Sequence, residues 1–372
     1  MKKLFSTIAL SALLGLGLTA CGSDETTDKA SVGMLTDTGG INDQSFNQGT
    51  WEGIERFRQD HGTIIANHAS PGTMALPELV TTAESLITAG HELIIMAGFT
   101  FEEAIGILQE DYPEVKFIIL DGEPQVEVDG DLEVRIDSNA LSIYFAEEQA
   151  GFMAGIAAAL ETETGKVGFI GGMEIPPVQR FGWGFLAGVA YANEVFDLDV
   201  VVEQFVYQGT FNDIQAGAAL AGGMYNDGID IIFAAAGAVG TGVIDEAKTR
   251  AANGERVFVI GVDSDQFEAG MMENGESVIL TSAVKRVDNA AYEYIQKFLN
   301  GEFPGGQSIT KDATTDGVGL PENNPNLSEE TQEKADSALE NIKNGEVIVP
   351  RTAEDLEIFL SERGFDASEL RF

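Results

Sequence analysis

The feature that most constrains the fold is an alternation of short apolar runs with helical stretches that occurs twice on about the same scale. The first series has apolar runs at 32–35, 63–66, 93–97 and 116–120, with predicted helices at 45–59, 75–89 and 101–110. The second has runs at 166–170, 200–206, 230–235 and 257–262, with predicted helices at 142–160, 179–194, 213–226 and 243–252. Such runs, bounded by polar or glycine residues, are typical of parallel strands buried on both faces. The sequence therefore predicts an α/β protein made of two doubly wound parallel-sheet lobes joined by a hinge.

The C-terminal third of the chain follows a different pattern. A further strand is predicted at 277–283, a helix at 288–299, a polar helix at 328–344 and an extended segment at 347–350. We interpret 32–138 as an N-terminal lobe to which about 282–304 return. We interpret 139–281 as a C-terminal lobe wrapped by about 305–372. The predicted hinge then comprises segments near 138–139, 281–283 and 305.

The N-terminus has the pattern of a bacterial secretory signal. Lys2 and Lys3 precede an apolar run that ends in small residues just before Cys21, the only cysteine in the chain. This pattern predicts a signal peptide over 1–20, lipid attachment at Cys21 and a polar tether over 21–31. An ordinary cleaved signal with an incidental cysteine is the alternative. The predicted localisation is extracytoplasmic, with the membrane contacted through the lipid anchor only.

The charge balance is strongly acidic, with 61 Asp and Glu against 21 Lys and Arg and a formal net charge of −40. Nucleic acid and anionic lipid surfaces require clustered Lys and Arg, so neither is an expected partner. The acidic surface also favours a monomer. With three histidines and no spaced acidic ligand loop, a metal site is not expected, and no cofactor is predicted.

Candidate binding residues follow the predicted strands, because open parallel sheets bind ligands beyond the carboxyl ends of their strands. Asp37, Asp121 and Asp263 each follow or end such a strand, and Phe46 and Phe211 lie at the heads of helices. Any single Asp in this position could be only a turn former or helix cap, and any single Phe could be core. Three carboxylates at strand ends in two lobes favour a shared cleft.

The remaining motifs disfavour nucleotides and catalysis. The glycine-rich stretch 237–242 reads G-x-x-G-x-G, which is neither the dinucleotide fingerprint nor a phosphate-binding P-loop. A cleft lined by Asp also opposes phosphorylated ligands and favours a neutral polyhydroxy one. No nucleophile elbow is present. Asp37 and Asp121 could in principle form a hydrolase acid pair, but we expect a binding protein and not an enzyme.

Long motifs spread over the chain carry a family resemblance. They are VGMLTDTGGINDQSFNQGTWEGI from residue 32, FIILDG at 117–122, EEQAGFMAG at 147–155, KVGFIGG at 166–172, GTFND at 209–213, AAGAVGTGVI at 235–244, VIGVDSDQ at 259–266, TSAVKRVD at 281–288 and NIKNGEVIVP at 341–350. With these motifs the chain resembles the basic membrane protein family of ABC-transporter substrate-binding lipoproteins, whose best-understood members are nucleoside receptors. The resemblance implies a type I periplasmic-binding-protein-like fold, hinge closure around a purine nucleoside, and a membrane permease as partner.

The resemblance also implies specific roles in the binding site. A purine base would stack between two rings, those of Phe46 and Phe211. Polar groups of the first lobe would hold the base or close its pocket: Asp37, Asn47 and Asp121. The ribose would face Gly240, Asp263 and Lys285. The stretch 173–177 departs from the family pattern, so no ligand contact is assigned to it. A receptor for another solute such as a sugar, a sensory binding protein and a surface adhesin or antigen are the alternatives.

Overall fold

The computed structural model describes residues 30–368, so the predicted signal peptide, Cys21 and most of the tether lie outside the described residues. The strands in this range are β1 (Ala30–Leu35), β2 (Ile64–Ala69), β3 (Leu93–Ala97), β4 (Lys116–Leu120), β5 (Gln125–Val128), β6 (Asp131–Val134), β7 (Ala140–Phe145), β8 (Lys166–Gly171), β9 (Val201–Tyr207), β10 (Ile231–Ala235), β11 (Phe258–Asp263), β12 (Ile279–Lys285), β13 (Gln307–Lys311) and β14 (Val318–Gly319). The helices are α1 (Phe46–His61), α2 (Leu76–Thr88), α3 (Glu102–Asp111), α4 (Glu147–Glu161), α5 (Pro176–Phe196), α6 (Ile214–Asn226), α7 (Ala238–Ala252), α8 (Val287–Leu299), α9 (Glu329–Lys343) and α10 (Ala353–Glu362).

Two six-stranded sheets organise the described chain. The first has the order β2-β1-β3-β4-β7-β13, with every neighbouring pair parallel. The second has the order β9-β8-β10-β11-β12-β14, parallel except for the short last strand. Strands β3 and β10 are buried along their whole length, as their uninterrupted apolar sequences require. The predicted two-lobed α/β fold is confirmed.

Helices divide between the two sheets. In the first lobe, α1 packs on α8 and α2 packs on α3. In the second lobe, α4 packs closely on α5, α6 packs on α7, and α9 and α10 pack on α4 and α5. The close approach of α4 and α5 depends on small residues, because a Cβ at Gly151 or Gly188 would overlap backbone of the opposite helix. No helix between residues 30 and 368 is long and apolar enough to cross a membrane.

The chain crosses between the lobes at places that differ from the predicted boundaries. Residues 140–145, partly predicted as helix, form β7, which pairs with β4 and β13 in the first sheet. Their apolar and aromatic sequence suits a strand buried on both faces, and the helix begins only at Glu147. The crossings therefore lie at Ala146, Arg286 and Asp312 instead of near 138, 282 and 305. The first and third adjoin, because the Ala146 amide donates to the Lys311 carbonyl at 2.9 Å.

Several elements were missing from the sequence prediction. Strands β5 and β6 form an antiparallel hairpin closed by Asp129 and Gly130, whose φ angles of 55° and 94° are both left-handed. Asp-Gly between two short strands is a recognised hairpin signal, so the sequence did carry this information. Strands β13 and β14 and helix α10 also lie in the segment that was predicted only to wrap a lobe. The extended segment predicted at 347–350 is not part of a strand.

Candidate ligand-binding site

A cavity of ≈ 420 Å³ lies between the two lobes, at the carboxyl ends of the strands of both sheets. From the first lobe it is lined by residues after β1, β3 and β4 and by the first turn of α1. From the second it is lined by residues after β8, β9 and β10 and at the ends of β11 and β12. The volume is in the range of small-molecule sites. The predicted shared cleft therefore exists between the lobes.

The structure brings seven of the eight predicted ligand-binding residues to this cavity. They are Asp37, Phe46, Asn47, Asp121, Phe211, Asp263 and Lys285. Gly240 does not line it. Its amide donates to the Gly237 carbonyl at 2.9 Å inside the first turn of α7, and Gly237 and Ala238 line the cavity instead. Helix α7 begins five residues earlier than predicted, at Ala238 and not at 243, which explains why Gly240 lies within it.

Part of the cavity wall is built around the start of α1. The Asn47 amide nitrogen donates to Asp37 Oδ1 at 2.9 Å and to Asp43 Oδ2 at 2.8 Å. Asp43 also accepts the backbone amides of Ser45, Asn47 and Gln48, which satisfies the amides that begin the helix. Both amide hydrogens of Asn47 are therefore held by carboxylates. Burial raises the pKa of Asp37, partly offset by the hydrogen bond from Gly39, and the nearby Asp43 raises it further.

A cluster of buried ions adjoins the same cavity through Lys285 and Asp121. The Lys285 ammonium is 2 % exposed and binds Asp121 from the first lobe. It also lies 2.8 Å from Glu147 Oε1, and Glu147 Oε2 accepts a hydrogen bond from Arg180 Nε at 2.6 Å. Glu147, the first residue of α4, is completely buried. Asp121 thus pairs with Lys285, although the resemblance assigned Lys285 to the ribose and Asp121 to the base or the closing of its pocket.

Burial is the largest influence on the pKa of every ion in this cluster. It raises the pKa of Asp121, which repulsion from Glu147 raises further and attraction to Lys285 opposes. For Glu147 burial is outweighed by Lys285 and Arg180, which together lower its pKa. The pKa of Lys285 is raised, because Asp121, Glu147 and Asp263 outweigh the effect of burial. The cation therefore stays charged with two carboxylates around it.

Asp121 and Asp263 occupy equivalent positions in the two sheets. Asp121 follows β4 and Asp263 ends β11, the fourth strand of each series, and both have left-handed backbones with φ of 61° and 64°. Each reaches a group of the opposite lobe: Asp121 binds Lys285, and Asp263 accepts a hydrogen bond from the Ser45 hydroxyl. Burial raises the pKa of Asp263 to about 6, although Lys285 and Ser45 act to lower it. Strained aspartates at such positions are frequent at functional sites.

The two predicted stacking rings come from opposite lobes. Phe46 begins α1, and the Lys285 ammonium lies 4.9 Å from its ring centroid. Phe211 lies on the backbone of Gly172, where a Cβ would stand 2.3 Å from the ring atom Cδ1. Only glycine allows this approach.

The segment 173–177, to which no ligand contact was assigned, also lines the cavity, through Met173, Ile175 and Pro177.

Sequence reasoning missed Glu147 and Arg180. Each lies in a helical segment with few charges: 140–160 carries only Glu147 and Glu148, and 175–193 only Arg180. Charged residues are almost never fully buried unless they are paired, so an isolated charge in such a segment was a usable signal. It was not recognised, because the helix was placed from its apolar pattern alone. Ser45 and Gln266, which bond across the lobes, carried no comparable signal.

The fold and cavity define a two-lobed solute-binding protein, and the comparisons place it in a family. A model of the family described as "ABC transporter substrate-binding protein PnrA-like" matches residues 30–353. The chain belongs to this family.

Relatives and solved structures agree with that assignment. The chain is 34% identical to a CD4+ T-cell-stimulating antigen of Listeria innocua, over 94% of this chain and 99% of that protein. It is 30% identical to the ABC transporter nucleoside-binding protein BmpA of Lactococcus lactis, over 88% of this chain and 91% of the relative. A crystal structure of ABC transporter system solute-binding proteins from Aeropyrum pernix is similar, with a TM-score of 0.74, 26% identity, and coverage of 90% and 97%.

Proposed function

We propose that this protein captures a purine nucleoside between its lobes for an ABC importer. The observation that carries the proposal is that Phe46 and Phe211, from opposite lobes, line one cavity together with Asp37 and Asp263. Stacking of a base on an aromatic ring contributes about 1–3 kcal/mol per contact. A 30% identical relative is named as nucleoside-binding, which supports the same ligand class here.

The carboxylates supply acceptors for ligand hydroxyl and amino groups. Among residues 30–368, one oxygen of Asp37 and one of Asp263 take part in hydrogen bonds within the protein, and the second oxygen of each has none. A ligand that donates hydrogen bonds at both ends, as an aminopurine nucleoside does through base and ribose, matches this arrangement. Buried acceptors of this kind confer specificity, because a ligand that leaves them unmatched loses affinity.

The same electrostatics oppose a phosphorylated ligand. Lys285 is the only basic residue lining the cavity in the described part of the chain, and Asp121 and Glu147 already neutralise it. A nucleotide phosphate would meet carboxylates and no available cation. The proposed ligand is therefore the uncharged nucleoside.

The cellular role completes the proposal. Cys21 carries the lipid anchor, the two lobes work on the extracytoplasmic side as a monomer, and a membrane permease accepts the closed, loaded form. The crossings at Ala146, Arg286 and Asp312 form the hinge. The lobes bind and release the ligand unchanged, without catalysis. This role follows from family membership together with the secretion pattern of residues 1–21.

Isothermal titration tests the ligand class directly. The chain lacking residues 1–21 is unfolded and refolded to remove ligand, then titrated with adenosine, guanosine, inosine, cytidine, ribose and adenosine 5′-monophosphate. We expect saturable binding of purine nucleosides and no binding of ribose or of the nucleotide. Binding of a sugar with every nucleoside silent would replace the proposal with a sugar receptor of the same fold.

Lipidation is tested by labelling with a fatty-acid analogue, which Cys21→Ser should abolish.

A further inference from the structure

The buried ion cluster is shared unequally between the lobes. Lys285, Glu147 and Arg180 all belong to the second lobe, and only Asp121 comes from the first. Lys285 ends β12 immediately before one crossing, and Glu147 begins α4 immediately after another. Opening the lobes separates Asp121 from Lys285 but leaves Glu147 and Arg180 in place beside it. Opening therefore breaks the ion pair between Asp121 and Lys285 and keeps the two pairs that Glu147 forms with Lys285 and Arg180.

We propose that Glu147 is a positioning residue that limits closure, by holding Lys285 in the second lobe and keeping its attraction for Asp121 low. This proposal rests on the proposed hinge-closing function. Glu147 is not among the residues that line the ligand cavity, so it acts through Lys285.

The charges of the cluster give the direction of the effect. Glu147 supplies one of the second-lobe negative charges around Lys285 and Arg180, together with that of Asp263. Loss of the Glu147 charge therefore makes the second-lobe charge that faces Asp121 more positive by one unit. Glu147 also repels Asp121 in the closed form. Both effects act in the same sense, so loss of the Glu147 charge strengthens closure.

Arg180 has the opposite role. Its guanidinium holds Glu147 at 2.6 Å, and it attracts Asp121 as well. Removal of Arg180 leaves Glu147 and Lys285 to neutralise each other, and the net attraction for Asp121 falls. A cluster that only stabilised the fold would not make these two substitutions act in opposite directions. This difference in sign separates a positioning role from a structural one.

The first readout needs no ligand. The chain lacking residues 1–21 contains no cysteine, so Thr81→Cys in α2 and Ala219→Cys in α6, both exposed, label one position in each lobe. Inter-lobe distances are measured by pulsed electron paramagnetic resonance. We expect Glu147→Gln to shift the distance distribution towards the shorter, closed state and Arg180→Gln to shift it towards the open one. Glu148→Gln removes a neighbouring buried carboxyl that forms no ion pair with Lys285 or Arg180 among the described residues, and we expect a much smaller shift than for Glu147→Gln.

The second readout is nucleoside release, followed by stopped-flow. We expect release from Glu147→Gln to be slower by about tenfold, the equivalent of roughly 1.4 kcal/mol, and release from Arg180→Gln to be faster. If the wild type binds no nucleoside, the proposed function fails while the distance measurement still decides this inference. If Glu147→Gln does not fold, Arg180→Gln alone must open the lobes. Shifts of the same sign in both variants, or an equal shift in Glu148→Gln, would overturn the proposal.

Discussion

The two lobes use the same strand order for different chemistry. In each sheet the first five strands of the series are arranged alike, as β2-β1-β3-β4-β7 in one and β9-β8-β10-β11-β12 in the other. The fourth strand of each leads to an aspartate with a left-handed backbone. Asp121, however, is bound by an ammonium of the opposite lobe, whereas Asp263 accepts a hydrogen bond from a hydroxyl. Among the described residues, the second oxygen of each aspartate has no hydrogen bond.

This difference arises from the partner and not from the position of the aspartate. The second lobe faces Asp121 with the buried cation Lys285, and Arg180 lies behind it on Glu147. The first lobe, in contrast, faces Asp263 with the hydroxyl of Ser45. The topology of the sheet brings each aspartate to the cleft, and the residue facing it decides whether its bond to the opposite lobe is an ion pair or a hydrogen bond. We therefore expect Asp121 to contribute mainly to closure and Asp263 mainly to ligand binding.

The largest effect is expected for Lys285→Met, which removes the cation on which Asp121 depends. The Asp121 and Glu147 carboxylates would remain buried without their shared partner, although Arg180 still contacts Glu147. Breaking a buried pair by removing one partner costs about 3–5 kcal/mol. We expect a loss of that size in the free energy of unfolding, measured by chemical denaturation, and no detectable nucleoside binding.

The matched control is Lys297→Met on α8, whose ammonium pairs with Glu293 at the surface. A surface pair contributes about 0–1 kcal/mol, so we expect little change in the free energy of unfolding. Equal losses in the two variants would show that the buried cluster has no special role and would remove the distinction between Asp121 and Asp263.

The second prediction concerns Glu148, a buried acid next to Glu147 on α4 that is not among the residues lining the cavity. Burial raises the pKa of Glu148 from 4.5 to about 7, and repulsion from Glu147 adds to this shift. Between these values the folded protein retains a proton that the unfolded chain has released. The free energy of unfolding should therefore fall as pH rises, by at most about 1.4 kcal/mol per pH unit from this group.

Glu148→Gln removes that contribution, so the stability of the variant should decline less steeply between pH 4.5 and 7. Denaturation series at several pH values measure the slope of each protein. Asp263, with its pKa raised to about 6, also makes the free energy of unfolding fall as pH rises. Asp263→Asn should therefore make that decline less steep over a narrower pH range. Parallel slopes for wild type and Glu148→Gln would contradict the shifted pKa.

The third prediction compares the two rings. Phe46→Ala and Phe211→Ala should each weaken nucleoside binding by roughly tenfold, since one stacking contact is worth about 1–3 kcal/mol. The loss should be larger for Phe46, because the Lys285 ammonium lies 4.9 Å from its ring centroid and loses a cation–π contact of about 0.5–2 kcal/mol. Isothermal titration measures both, with Phe211→Tyr as the variant that keeps a ring. Wild-type affinity in both alanine variants would exclude the sandwich.

The sequence allowed the architecture and most of the site to be predicted for a physical reason. Uninterrupted apolar runs specify strands buried on both faces, and parallel strands bring the residues after them to one edge. Asp37, Asp121 and Asp263 could be found in this way. The partners of these residues could not, because Lys285 and Asp121 are far apart in sequence and meet only through the packing of the lobes.

The errors arose where pattern alone was ambiguous. The run 140–145 reads equally as a buried strand or as the start of the following helix, and only its pairing with β4 and β13 decides between them. That error placed one predicted hinge segment, 138–139, inside the first lobe. It also placed Glu147 in the interior of a predicted helix instead of at its first residue. The true position at the helix start, beside a crossing, gives Glu147 its access to Lys285.

The smallest effects are expected from alanine substitutions at Gly172 and Gly240. Gly172 lies against the Phe211 ring in the structure, whereas Gly240 was assigned to the ligand from the sequence only. At Gly172 a Cβ would overlap the Phe211 ring, so Gly172→Ala should displace the ring and weaken nucleoside binding by roughly fivefold, part of one stacking contact. In a Phe211→Ala background the same change should have little further effect, because its target is gone. At Gly240 a Cβ would meet Ala234 only at 3.7–3.8 Å, an ordinary contact, so Gly240→Ala should bind like the wild type. Weaker binding by Gly240→Ala than by Gly172→Ala would restore Gly240 as a ligand contact and move the ribose site into α7.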